Sequence, residues 1–134
     1  MHDFAKRVIA HEAQGSKSSA TNAPVIFSVI AKLRPMLTNL LGSVGFSALL
    51  SRALALVSKN IRWLAKVQIN SDGSLHGLDE LAEQIEPDEF FEGQVVLLAQ
   101  LLGLLVAFIG ERLTLNLVRE AWPKLSLNNF DFSK

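Results

Sequence analysis

Apolar positions recur along this chain with the spacing of helices. Phe4, Ala5, Val8 and Ile9 fall on one side of a short helix over residues 2–13. A small, polar stretch follows at 14–23 and reads as a linker or long loop. Asn22, then Ala23 and Pro24, is a helix start with a capping side chain and a proline in the first turn. The second helix carries Val25, Ile26, Val29, Ile30, Leu33, Met36, Leu37, Leu40 and Leu41 on one broad face. Pro35 lies inside it, lacks an amide proton and clashes with the carbonyl of Ala31, which predicts a kink. The sequence Gly42-Ser43-Val44-Gly45 breaks the pattern. A third helix is expected from Phe46 to about Lys66, with Phe46, Leu49, Leu50, Ala53, Val57, Ile61 and Leu64 facing inward.

The period then changes. Val67-Gln68-Ile69-Asn70 alternates, Ser71-Asp72-Gly73 has turn chemistry, and a small hairpin or extended excursion over 67–78 fits. Asp79 to Ile85 forms a short acidic helix. Glu86-Pro87-Asp88-Glu89 opens the last and longest one, with acids at the positive end of its dipole. From Val95 to Gly110 only Gln100 is strongly polar, so every face of this segment needs an apolar neighbour. These sixteen residues reach ~24 Å, whereas a membrane span needs ~20 residues, and Glu111-Arg112 ends the run. The reading is therefore a buried central helix rather than a membrane segment. Carried on to Ala121 the helix measures ~42 Å, against a domain diameter of roughly 36 Å. It must bend near Gly103 or Gly110, or have its end covered by a second copy. Trp122-Pro123 stops it, and 124–134 reads as a loose tail. The pattern predicts a single all-α domain, a four- to five-helix bundle around Val95–Gly110.

Composition adds to this. Hydrophobic residues make up 49% of the 134-residue chain and charged residues 19%, below the usual ~25%. That apolar excess predicts self-association, with a two-fold homodimer as the simplest form. Gly103 and Gly110 would permit close approach of the second copy. The absence of cysteine excludes disulfide and thiolate chemistry and suits a reducing, cytoplasmic compartment. The N-terminus lacks the apolar core of a signal peptide. Net charge is zero but segregated: residues 1–67 carry nine Lys/Arg and two acids, and residues 68–92 carry eight acids and no Lys/Arg. The acids complement the basic half within the molecule, or form a surface for a basic partner or a cation. Basic residues on the third helix are spread too thinly for nucleic-acid binding.

Candidate chemistry is sparse. Gln68 to Asp79 matches part of the calcium-binding helix–loop–helix pattern, with Asn70, Asp72 and Asp79 as ligand candidates and Gly73 at the required glycine. Gln at the first position, His76 at the ninth and Asp at the last depart from it, and a plain Asp-Gly turn accounts for the same residues. His2, His11 and His76 lack ligand spacing, and His11-Glu12 reads as solvated on a terminal helix. Glu111 shares a stripe with Leu115, Val118 and Trp122, where burial demands a partner such as Arg52 or Arg34. Gln100, Glu111 and Arg52 are accordingly the candidate ligand-binding residues of an inter-helix pocket. No nucleophile elbow and no phosphate-cradling loop occurs, and no cofactor is expected.

The stretches Gly45-Phe46 through Leu56, Asp72-Gly73-Ser74-Leu75 with Gly77-Leu78, and Val95-Val96-Leu97 through Gly110-Glu111 to Trp122-Pro123 resemble small helical bacterial proteins that carry no assigned activity. The likeness spans about residues 25–123 and implies a bacterial helical domain without implying any chemistry. The residues together predict a non-enzymatic interaction or regulatory module that self-associates. The alternative is a small-molecule-binding helical domain.

Overall fold

A computed structural model describes residues 2–15, 25–70 and 75–123. The expected linker at 14–23 falls largely outside them, and the tail at 124–134 wholly so. The described elements are α1 (His2–Gly15), α2 (Val25–Val57), a 3-10 turn (Arg62–Lys66), β1 (Gln68–Ile69), β2 (Leu75–His76), α3 (Leu78–Gln84), α4 (Pro87–Ile109) and α5 (Glu111–Ala121). The fold is all-α. Its single hairpin among the described residues pairs Gln68 with His76 and Ile69 with Leu75, antiparallel, within the excursion expected at 67–78.

α4 is the central helix. Pro87 occupies its first turn, followed by Asp88 and Glu89, where a missing amide proton costs nothing and negative charge meets the dipole. Val95, Leu97, Leu98, Leu101, Leu102 and Leu105 are buried along it. At ~1.5–3 kcal/mol per fully buried aliphatic side chain, this row is a major part of the core.

Four side-chain contacts fix how the helices run. Ile26 N–H donates to Gln94 Oε1 at 2.9 Å, so α2 starts beside the start of α4. His2 hydrogen-bonds Glu92, and α1 packs along α4 from there. Glu12, ten residues on, accepts from Lys32 Nζ at 2.8 Å, so the first arm of α2 advances with α1 in the direction of α4. Glu12 also accepts from Trp122 Nε1 at 2.8 Å, which brings the end of α5 back to mid-bundle.

Both reversals are made by glycine. Gly42 (φ 81°, ψ 161°) divides α2 into two arms, and Gly110 (φ 95°, ψ 157°) separates α4 from α5. This region of backbone space is essentially open only to glycine. Ile26 to Gly42 and Gln94 to Gly110 are both 16 positions, or ~24 Å of helix. The two reversals therefore lie at the same end of the bundle.

Pro35 is exposed and lies within continuous helical backbone, and the interruption expected at Gly42-Ser43-Val44-Gly45 falls at Gly42. One helix boundary is corrected. The third helix ends at Val57 rather than near Lys66. Ile61 is extended (φ −117°, ψ 94°), and Leu64 reaches the core from a 3-10 turn. The last helix bends at Gly110, one of the two positions expected, and α5 folds back from there.

Candidate functional site

The predicted ligand-binding residues are not brought together. Arg52 and Glu111 are exposed and Gln100 is half-buried. No hydrogen bond or ion pair joins them among the described residues. Glu111 keeps its phase with Leu115 and Val118 within α5, but the break at Gly110 makes it the first residue of that helix, at an exposed end rather than inside the bundle. Glu111 instead opens α5 in solvent, where the helix dipole favours a carboxylate. Arg34 does not supply the expected pairing either; its Nε is buried without a hydrogen-bond partner.

Of the calcium-loop candidates, Asn70 is exposed beside β1 and Asp79 lies in the first turn of α3. Asp72 falls outside the described residues. Gln68 and His76, loop positions one and nine, face each other across the hairpin. Among the described residues no group of three or more His, Asp or Glu side chains could hold a metal.

Two polar residues that the sequence did not single out organise the interior. Gln94 is buried; its Oε1 accepts from Ile26 N–H, one of the first-turn donors that a helix leaves unsatisfied. Its Nε2 donates to Phe90 O at 3.4 Å. Glu12, expected in solvent, is 6% exposed and ties α1 to α2 and to the end of α5. The signal for Glu12 is its phase: residues 4, 5, 8, 9 and 12 form one helical stripe.

At the end where α1, α2 and α4 begin, Asn60, Ile61, Arg62 and Trp63 face Asp88, Glu89, Glu92 and Gly93 across a cleft of about 460 Å³. Trp63 stacks on Phe90 with ring centroids 5.4 Å apart and 26° between planes. Its indole lies so close to Gly93 that a Cβ there would stand 2.2 Å from Cζ2. Glu92 is met by His2, and no Lys or Arg pairs with Asp88 or Glu89 among the described residues. The acidic segment is thus not neutralised from within at this point. Carboxylates opposite an indole form a setting for an organic cation.

The opposite end has a different character. Its exposed large hydrophobic side chains are Val44 (81%), Phe108 (69%), Leu40 (45%) and Leu113 (38%). All lie within three residues of Gly42 or Gly110. Residues 35–51 and 93–110 contain no charged side chain, so both arms reach this end uncharged. Glu111 and Arg112 are the charges at the reversal itself, both exposed.

α2 and α4 are long and apolar enough to cross a membrane by length and composition, with mean hydropathy 1.8 and 1.9. Gly42 splits α2 into arms of at most 17 residues, or ~25 Å, and Lys32, Arg34 and Arg52 interrupt them. These arms are shorter than the ~30 Å hydrocarbon core.

Comparison with protein-family models, with curated proteins and with solved structures finds no match. The functional reading therefore rests on this chain's own residues.

Proposed function

We propose that this chain is a non-enzymatic helical interaction module that docks, and self-associates, through the end where α2 and α4 reverse. The observation that carries the reading is the exposure of Leu40, Val44, Phe108 and Leu113 around Gly42 and Gly110. Soluble monomers seldom gather large apolar side chains in one uncharged region, and such regions mark association surfaces. The exposed side chains there are mainly apolar, which favours recognition. Light scattering at increasing concentration tests it. The wild type is expected to rise from 14.7 kDa towards twice that mass, and Val44→Asp or Phe108→Asp to hold it at the lower value. Both positions are exposed, so the charged variants keep the fold. Unchanged behaviour of both variants would remove this end from the account.

A second reading, a small-molecule-binding domain, is favoured by the cleft at Trp63 and not by the region of Gln100 and Glu111. Its ligand is a small organic cation, held between the indole and Asp88, Glu89 and Glu92. Titration with putrescine, followed by tryptophan fluorescence in the wild type and in Trp63→Phe, tests it. A saturable change that Trp63→Phe abolishes is expected, and a wild type that does not respond eliminates the reading.

A further inference from the structure

We infer that the occupant of the reversal end is a second copy of this chain, joined about a two-fold axis, with Glu111 of each protomer paired to the partner's Arg112. This rests on the docking reading above and names its partner.

A two-fold interface brings one patch against itself, so each charge on it must meet its opposite from the same patch. The reversal end meets that condition with one acid and one base. Glu111 and Arg112 stand side by side at the start of α5, both exposed, next in sequence to Leu113, close to Phe108, and at the same end of the bundle as Leu40 and Val44. Neighbours at i and i+1 on a helix do not face each other, so Glu111 and Arg112 cannot neutralise one another. Neither has an ion-pair partner among the described residues. Two-fold pairing answers both charges at once, twice per interface.

The same inventory argues against an anionic lipid surface. Such a surface selects a basic excess beside the apolar side chains, and here one acid cancels one base. The nearest further arginines on α2 are Arg34 and Arg52, eight and ten positions from Gly42, or ~12–15 Å along the helix. A basic protein partner would leave Arg112 unanswered, and an acidic one would leave Glu111 so. In the two-fold arrangement the apolar side chains hold the copies together, while the paired charges set their register and exclude wrong pairings.

Charge reversal in the full-length chain provides the test. Sedimentation equilibrium and light scattering are run on the wild type, Glu111→Arg, Arg112→Glu and the double reversal, with circular dichroism to verify the fold. Each single reversal places like charges opposite each other twice, and is expected to weaken association at least tenfold. The double reversal restores opposite pairing and is expected to return within about threefold of the wild type. A dimer that ignores the single reversals, or that the double reversal does not rescue, overturns this pairing while leaving the docking reading intact. A monomeric wild type that floats with phosphatidylglycerol vesicles, with flotation lost in Phe108→Asp, overturns the second copy and self-association alike and leaves this end docking on lipid. A monomeric wild type that binds no vesicle overturns docking at this end as well.

Discussion

Removing the Glu12 carboxylate should cost far more than removing its charge. Trp122 is 2% exposed, and its indole N–H has Glu12 Oε2 as its acceptor. Glu12→Ala leaves that donor orphaned, which costs ~1–3 kcal/mol. It also deletes one buried methylene, Cγ, at ~0.8 kcal/mol. The Lys32 ammonium, whose side chain is half in solvent, returns to water, so its share is only ~0–1 kcal/mol. Glu12→Ala is therefore expected to lose about 2–4 kcal/mol, a large fraction of the ~5–15 kcal/mol available to a domain of this kind. Glu12→Gln keeps an acceptor for Trp122 and the same stem, and is expected to lose about 1 kcal/mol. Lys32→Ala should lose no more than that. Urea unfolding of the three variants, compared at constant m-value, measures the differences. If Lys32→Ala costs as much as Glu12→Ala, the ion pair and not the indole contact holds α1 to α5, and the reasoning fails.

The glycines separate into opposite predictions. Gly42→Ala meets no atom within 4 Å yet sits at φ 81°, so it should lose ~1–3 kcal/mol through backbone strain alone. Gly103→Ala is equally unobstructed but lies within α4, and should gain up to ~1 kcal/mol; thermal melts in which both shift the same way would contradict this. Gly93→Ala drives a Cβ into the Trp63 ring, and should cost ~1–3 kcal/mol as an overpacking change. It should also separate Trp63 from Phe90, seen as an altered tryptophan emission spectrum in the folded state.

The elements most legible in the sequence are those that local rules determine. The apolar run Val95–Gly110 announced a central helix, Pro87 its start, and the Asp-Gly turn a hairpin. Misreadings arose where one helical phase was carried across a break. Ile61 and Leu64 stay in phase with Phe46 and Val57, although the chain leaves the α-helix after Val57. Glu111 shares the phase of Val118 in α5, but Gly110 is not helical, so Glu111 opens a new helix at an exposed end instead of lying within a longer one. Gly110 was recognisable as a possible bend, but its backbone conformation was not. Pro35 lies on an exposed face within continuous helical backbone, and the break comes at Gly42, within the expected interruption at 42–45. The candidate site was least legible. Glu12 had the right phase for burial, but its partner Trp122 is 110 residues away. The cleft needs Trp63 and Asp88–Gly93 from segments that no local pattern connects, and the apolar end needs two glycine reversals to coincide.

The claim that the reversal end is the docking surface is tested most directly by amide hydrogen exchange at low and high protein concentration. The first N–H groups of α5 lack helical acceptors, and residues Gly42–Val44 are exposed at a break in the helix, so both regions are expected to exchange rapidly in an isolated chain. The account predicts that raising the concentration protects peptides spanning Leu40–Gly45 and Ala107–Thr114 and leaves those around Asn60–Trp63 and Asp88–Gly93 unchanged. Protection that grows at the Trp63 cleft instead, with none at Gly42 and Gly110, would contradict it.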